Sequence, residues 1–220
     1  MSGTYIKREF KKLAKMIFHI PYNIRRLYNK KIIKSRDFTV ISNNCWAGKI
    51  YQYLDMPYLS PTVGLYFFSD DYIRFVKNYK YYLNLDLKFI SAYDSKYKTE
   101  LIKGEQTNKP IGLLDDVEIV FLHYKTQEEA YEKWNRRRNR INWENIIFKF
   151  SKMNKCTEEH LAAFDALPYS RKFMLTANKK KRYTCEIYWK GQTDENGQII
   201  FDTIPFPGNI KLKNVFNQFD

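Results

Sequence analysis

The stretch FTVISNNCWAG, residues 38–48, sets an apolar run directly before two asparagines, a cysteine and a tryptophan. Residues 38–42 have the composition of a buried strand, and residues 47–54 have that of a short helix. A loop between the carboxyl end of a strand and a helix is where open α/β sheets bind ligands, because free N–H groups and the helix dipole point there. The stretch therefore predicts both the fold class and a first candidate site.

The rest of the chain continues this alternation of strand and helix. Strands are predicted at 64–68, 87–91, 116–124 and 145–150, and helices at 72–83, capped by Asp70 or Asp71, and at 157–167. The sequence TQEE, residues 126–129, is a capping box that starts a further helix. Together with the strands at 116–124 and 145–150, this helix predicts a right-handed crossover in a parallel sheet.

The C-terminal part, residues 171–204, is rich in strand patterns, and DENGQ at 194–198 predicts a hairpin turn at Asn196-Gly197. The chain has 220 residues and is 44% hydrophobic, which is enough for one good core. We therefore predict a single α/β domain over residues 37–220. It should have three layers, with a mostly parallel sheet, flanking helices and a strand-rich C-terminal part.

Residues 1–36 carry eleven Lys and Arg but one acidic residue, Glu9, and so hold +10 of the formal +14 of the chain. Apolar residues recur at helical spacing on both sides of Pro21, which predicts two basic amphipathic helices. In the second helix the apolar stripe is Ile24, Leu27 and Tyr28. Such helices bind anionic membrane surfaces, but the same pattern fits a stripe packed on the domain with a solvated basic face. Nucleic-acid binding is less favoured, because no recognisable binding motif accompanies the charge.

Three scattered cysteines, Cys45, Cys156 and Cys185, predict neither a disulfide framework nor a metal site. The sequence also lacks the phosphate-loop, dinucleotide, serine-elbow, zinc-protease and Asp-x-Asp motifs, so no metal and no cofactor is expected. No signal peptide is recognisable, and no apolar run reaches the roughly 18 residues of a spanning helix. We expect a cytoplasmic protein, soluble or peripheral at the inner face of the cell membrane.

The loop after the first strand supplies most of the predicted binding residues. Asn43 and Asn44 offer amide groups to a ligand, next to Ser42, and Trp46 can cover a flat ligand. Gly48 permits close approach of the backbone. Cys45 lies where a helix dipole lowers the pKa of a thiol, which suits a nucleophile. The alternative is structural: a buried cysteine, a core tryptophan and asparagines that cap the helix.

His123 and two arginines complete the candidate site. His123 lies near the end of its strand, so in a parallel sheet it faces the same edge as Cys45, and a thiol with a general base is a known catalytic pair. Arg137 falls on the helical stripe that faces inward, where a buried guanidinium needs an anion such as phosphate or carboxylate. Arg140 is a second candidate. Structural roles, an ion pair or a solvated basic face are the alternatives.

Two blocks of sequence resemble a bacterial family of unknown function. They are SNNCWAG followed by SPTVGLYF, and FLHY followed by KWNRRRNRIN, within residues 37–203. Members of that family are commonly labelled exopolysaccharide biosynthesis proteins, and the tryptophan is usually followed by two glycines, whereas here Ala47 precedes Gly48. The second block is also similar to a family described as papain-like cysteine peptidases. The resemblance implies a role in surface-glycan assembly but supplies no reaction.

The leading hypothesis is a peripheral transferase that adds a sugar to a glycan or lipid-linked precursor in exopolysaccharide, capsule or lipopolysaccharide assembly. It would use a nucleotide-sugar co-substrate, with His123 as base and Arg137 or Arg140 on the donor phosphates. A thiol-dependent acyltransferase or hydrolase with Cys45 and His123 is the alternative. A non-enzymatic accessory protein of the glycan machinery is a third possibility.

Overall fold

The computed structural model describes residues 23–33, 35–202 and 212–216. The first predicted basic helix lies outside these ranges. In chain order the elements are α1 (residues 23–32), β1 (Thr39–Ser42), α2 (Trp46–Leu54), α3 (Ser69–Lys77), α4 (Tyr79–Asn84), β2 (Lys88–Ile90), α5 (Lys98–Lys103), β3 (Ile111–Leu114), β4 (Val117–Val120), α6 (Gln127–Arg138), β5 (Ile146–Ser151), α7 (Glu158–Asp165), β6 (Lys172–Thr176), β7 (Glu186–Tyr188) and α8 (Leu212–Phe216).

The main sheet has four parallel strands in the order β1-β5-β6-β7. Every residue of β1 and β5 is buried, because helices cover both faces of the sheet. On one face Val40 and Ile147 pack with residues of α2 and α8. On the other face, side chains of β5 pack with residues of α3, α6 and α7. The α/β prediction, with a mostly parallel sheet between helices, is confirmed.

β1 is an edge strand, and side chains satisfy the backbone groups on its free edge. The Val40 amide donates to the Tyr51 hydroxyl at 2.8 Å, and the Ser42 amide donates to Thr62 Oγ1 at 3.2 Å. The Thr62 hydroxyl also donates to the Val40 carbonyl. An edge with its groups already bonded cannot recruit another strand, so these contacts protect β1 from pairing with a second chain.

The predicted crossover from residues 116–124 to residues 145–150 is wrong. β4 pairs antiparallel with β3 and belongs to a separate three-stranded sheet, β2-β3-β4, whereas β5 pairs with β1 and β6. A tight turn joins β3 to β4, with Asp115 in the left-handed region at φ 55°. β4 therefore pairs with its neighbour in sequence, β3, in a hairpin and not with the distant β5. The strand β3 was not predicted, because Pro110 and Gly112 indicate a loop. Gly112 is required there, since a Cβ would lie 2.6 Å from the Phe121 ring.

Three further predictions differ from the structure. Residues 64–68 form no strand, and only Tyr66 pairs, in an isolated bridge with Val120. The single helix predicted over 72–83 is two helices, α3 and α4, which separate at Asn78. Phe68 is the residue before α3, and Asp70 and Asp71 lie in the first turn of that helix without capping it.

The strand-rich C-terminal part is confirmed in β6 and β7, which extend the parallel sheet. The turn predicted at 194–198 also forms. Gly197 has φ 69°, and a single bridge pairs Thr193 with Ile199. This bridge belongs to neither sheet, although the Ile199 amide donates to the Lys152 carbonyl just after β5 at 2.7 Å. The end of the last predicted strand lies outside the described residues.

The segment 62–68 positions the candidate site, because it links the two sheets. The Phe67 amide donates to the carbonyl of Asn43 at 3.0 Å, just after β1. Tyr66 exchanges two backbone hydrogen bonds with Val120 of β4, and the His123 amide donates to the Gly64 carbonyl at 3.0 Å. The ends of β1 and β4 are thereby tied to the same piece of chain.

Candidate functional site

A cavity of about 250 Å³ lies between the start of α2, the segment 58–64, the end of β4 and α6. Of the predicted site residues, it brings together Cys45, Gly48, His123 and Arg137. The complete lining is Cys45, Gly48, Lys49, Gln52, Tyr58, Val63, Gly64, His123, Tyr124, Lys133 and Arg137.

The other predicted residues lie outside the cavity. Ser42, Asn43, Asn44 and Trp46 are all buried, and Arg140 is exposed just after α6. Ser42 Oγ accepts a hydrogen bond from the amide of Ala47 at 3.1 Å, and Asn44 Oδ1 accepts one from the amide of Trp46 at 3.1 Å. Both bonds satisfy amides in the first turn of α2, so these side chains start the helix.

The Asn43 side chain continues the ladder between β1 and β5. Its amide nitrogen donates to the Ser151 carbonyl at 3.0 Å, and its amide oxygen accepts from the Ser151 amide at 3.0 Å. Trp46 is fully buried, with its ring 5.4 Å from that of Phe173 and 6.3 Å from that of Phe216. The two asparagines, the serine and the tryptophan of the opening stretch therefore hold the end of β1, the start of α2 and the core together.

A buried ion pair joins the same region to the C-terminal part of the chain. Lys149 of β5 and Asp202 are almost inaccessible, at 0% and 1% side-chain exposure, and Lys149 Nζ donates to Asp202 Oδ2. Asp202 Oδ2 also accepts from Asn44 Nδ2 at 2.8 Å and from Ser151 Oγ at 2.5 Å. Burial lowers the pKa of Lys149, and the negative charge of Asp202 opposes that effect.

Cys45 is the residue before α2, but its thiol is not activated. The pKa of Cys45 is raised to about 11, mainly by burial and also by the charge of Asp202, while Lys49 and Lys149 act in the opposite direction. The Cys45 thiol lies 3.8 Å from the carbonyl of Leu65, which can accept its hydrogen. The expected lowering of this pKa by the helix dipole is therefore wrong in direction, because desolvation outweighs the dipole.

His123 is exposed at the mouth of the cavity. Its pKa lies below the usual 6.5, because burial disfavours the charged ring and Lys49 and Lys109 repel it. The ring is therefore neutral at pH 7 and can accept a proton.

Arg137 is buried, with 7% of its surface exposed, and the groups that it contacts are neutral. Its Nη1 donates to the carbonyl of Val63 at 3.1 Å and to the Tyr124 hydroxyl. The guanidinium carbon lies 4.9 Å from the centre of the Tyr58 ring and 5.9 Å from that of Tyr124. Among the described residues, none of the ion pairs involves Arg137, so the predicted structural ion pair is not seen there.

Sequence reasoning missed seven of the eleven lining residues, and four of these seven carry a positive charge or an aromatic ring: Lys49, Tyr58, Tyr124 and Lys133. Lys49 follows Cys45 by four positions, so helical spacing could have placed both on one face. Lys133 pairs with Glu129 at 2.5 Å, one turn earlier in α6. With Arg137, the two lysines give the cavity three cationic side chains and no acidic one, so the arrangement suits a negatively charged ligand.

The comparison with known families matches a domain of unknown function, DUF1919, over residues 15–220. The chain belongs to the DUF1919 family. A protein of Haemophilus influenzae described as uncharacterized is 32% identical to this DUF1919 chain over 197 residues. The alignment covers 90% of the chain and 87% of the relative.

Neither comparison names a reaction, a substrate or a role in glycan assembly. Within the described part of the DUF1919 chain, no group of three or more His, Cys, Asp or Glu side chains could hold a metal ion. The same described residues contain no helix with the length and apolarity needed to cross a bilayer.

Proposed function

We propose that this DUF1919 chain is a transferase whose cavity binds the phosphate groups of a sugar donor used in surface-glycan assembly. The observation that carries the proposal is Arg137, a buried cation held by a carbonyl, a phenol and two aromatic rings in a cavity with two more cations. A buried charge without a counter-charge is costly, and a bound phosphate removes that cost while matching the planar guanidinium fork. The sugar and the glycan context rest on the sequence resemblance.

In the proposed reaction His123 is the general base. The neutral ring takes the proton of an acceptor hydroxyl, whose oxygen forms a bond to the anomeric carbon of the donor sugar. The bond between that carbon and the phosphate oxygen breaks, and the phosphate leaves with the electron pair. Arg137 and Lys49 stabilise the negative charge of the leaving group.

Arg137→Gln is the variant that tests the anion site. Binding of pyrophosphate and of a panel of nucleotide sugars is measured by calorimetry, with Arg140→Gln as a matched control that removes an exposed arginine near the same helix. We expect Arg137→Gln to weaken binding by about tenfold to a hundredfold, the usual loss for one charge-assisted hydrogen bond. Arg137→Lys should weaken binding nearly as much, because an ammonium group cannot replace the planar guanidinium that stacks on the tyrosine rings.

Thermal unfolding of each variant separates lost binding from lost folding. The proposal fails if folded Arg137→Gln binds like the wild type, or if no phosphorylated compound binds to the wild type. Equal losses in Arg137→Gln and Arg140→Gln would indicate a general charge effect and would also contradict it.

A second candidate function is a thiol-dependent acyltransferase or hydrolase, favoured by the fact that Cys45 and His123 line one cavity. The raised pKa of Cys45 opposes it, because a thiol with a pKa of about 11 carries roughly a hundredfold less thiolate at neutral pH than one at 9.0. Alkylation of Cys45 by iodoacetamide, followed by peptide mass spectrometry, distinguishes the two. Slow alkylation below pH 9 and turnover in Cys45→Ala support the sugar transferase, whereas fast alkylation and loss of turnover support the thiol enzyme.

A further inference from the structure

The helix α1 packs on the domain through its polar side. Arg26 Nε donates to the carbonyl of Tyr53 at 2.8 Å, and Arg26 and Lys30 both pair with Asp55 at the end of α2. Asn29 Nδ2 donates to the Tyr53 hydroxyl at 2.9 Å. The inner face of α1 is therefore largely hydrophilic, which is the reverse of an ordinary surface helix.

The apolar stripe of α1 faces outward. Ile24, Leu27 and Tyr28 are 63%, 65% and 60% exposed, and they follow one another at helical spacing. Lys31 continues this outer face and is exposed as well. The interpretation in which the stripe packs on the domain is therefore wrong for α1. Within the described ranges, no part of the chain buries these three side chains.

The charge of the N-terminal sequence points to the chemistry of the partner of this outer face. Residues 1–36 hold eleven Lys and Arg against the single acid Glu9. On α1 itself Arg25 and Lys31 are exposed, as are the three apolar side chains. An exposed apolar helix face in a strongly basic stretch of sequence fits the surface of an anionic bilayer, in which the apolar groups enter the acyl boundary and the cations meet the headgroups. An apolar face alone would fit a protein partner equally well, but the excess of ten positive charges favours anionic lipid.

We propose that α1 docks the protein on anionic membrane surfaces through Ile24, Leu27 and Tyr28. The ion pairs to Asp55 hold the helix with this face outward. α2 carries both Asp55, at its C-terminal end, and the cavity residues Gly48, Lys49 and Gln52, so docking brings the cavity close to the lipid surface. The proposal concerns a different surface from the cavity and does not depend on what the cavity binds.

Co-sedimentation of the full chain with lipid vesicles tests this docking surface. The vesicles are phosphatidylcholine with and without phosphatidylglycerol, and the variants are Leu27→Gln and Ile102→Gln. Ile102 is a matched control, because it is 48% exposed in α5, a helix whose Leu101 packs with Phe68 and Ile111 and which has no part in the proposed docking surface. We expect binding to the anionic vesicles alone, weakened about tenfold by Leu27→Gln and unchanged by Ile102→Gln, since insertion of one leucine side chain contributes roughly that factor.

The proposal is overturned if Leu27→Gln binds as well as the wild type, because the basic residues would then bind without the apolar face. It is also overturned if both variants lose binding equally, or if the wild type ignores vesicles and forms a dimer that Leu27→Gln dissociates. Thermal unfolding checks that each variant is folded, and Leu27 is exposed enough for the substitution to leave the core intact.

Discussion

Asp71 is a buried carboxylate in the first turn of α3. Its oxygens accept hydrogen bonds from Lys96 Nζ at 2.5 Å and from the Glu118 amide at 2.8 Å. Burial nevertheless raises the pKa of Asp71 to about 6, because desolvation of the charged form outweighs these two contacts. Folded protein therefore keeps the proton at pH values where the unfolded chain has released it.

This raised pKa makes the protein less stable as the pH rises. The contribution of Asp71 is fully favourable below pH 3.8 and is lost as the pH rises through about 6. We expect Asp71→Asn to remove this dependence of stability on pH. Relative to the wild type, the free energy of unfolding of the variant should therefore rise by up to about 3 kcal/mol between pH 4 and pH 7. Urea unfolding at a series of pH values measures the difference.

Asp70→Asn is the control for the change in net charge, because Asp70 is the preceding residue and is exposed. The prediction is contradicted if the free energies of unfolding of the wild type and of Asp71→Asn differ by the same amount at every pH from 4 to 7.

For single residues, the sequence predicted which side chains lie in the cavity better than it predicted their pKa values. Cys45, His123 and Arg137 do line one cavity. The reason predicted for His123 was wrong, because β4 is not in the parallel sheet with β1; the segment 62–68 brings the ends of the two strands together instead. The direction of the Cys45 pKa shift was not predictable, since it depends on burial and on Asp202, which lies far away in the sequence. The catalytic and binding roles of these residues remain predictions.

Among the elements, α1 is tied to the end of α2 by two ion pairs that share one acidic residue. Asp55 ends α2 in the left-handed conformation, at φ 53°, and pairs with both Arg26 and Lys30. Asparagine also tolerates this conformation, so Asp55→Asn should leave α2 intact while it removes both ion pairs. We expect faster hydrogen exchange of the backbone amides of α1 and little change in those of α2, measured by mass spectrometry.

Asp115→Asn is the control for this experiment, because Asp115 has the same left-handed conformation, at φ 55°, in the turn between β3 and β4. Unchanged protection of α1 in Asp55→Asn would show that the helix is held by other contacts.

Elements with strong local signals were predicted, and the pairing of the strands was not. Thr126 caps α6 as its capping box predicts, with the Glu129 amide donating to Thr126 Oγ1 at 3.1 Å. Whether β4 pairs with β3 or with β5 depends on how side chains pack in three dimensions, such as the close approach of Phe121 to Gly112. The hydrophobic pattern of a short buried strand does not contain that information.

For the whole molecule, the pair of Lys149 and Asp202 ties the C-terminal part to the centre of the main sheet. Asp202→Asn leaves a fully buried ammonium without a counter-charge, and we expect it to lower the free energy of unfolding by about 3 to 5 kcal/mol. Adding Lys149→Met should restore most of that loss, since the amide oxygen at position 202 can still accept from Asn44 and Ser151. Urea denaturation of the single and double variants measures both effects.

Glu132→Gln removes one partner of an exposed ion pair with Arg136 and should cost less than about 1 kcal/mol. If Asp202→Asn costs no more than this control, the buried pair does not contribute in the expected way. The sequence contains no signal for this pair, because a lysine inside a strand is ordinarily read as a solvent-facing residue.

The order of the strands also affects how the chain is made. Thr39 of β1 pairs with Ile146 of β5, and β1 has no other neighbouring strand in the main sheet. A ribosome adds about 5 to 20 residues per second, so β1 leaves the exit tunnel roughly 5 to 20 seconds before its partner. During that interval the whole antiparallel sheet is synthesised, while an extended apolar strand remains unpaired and accessible to chaperones.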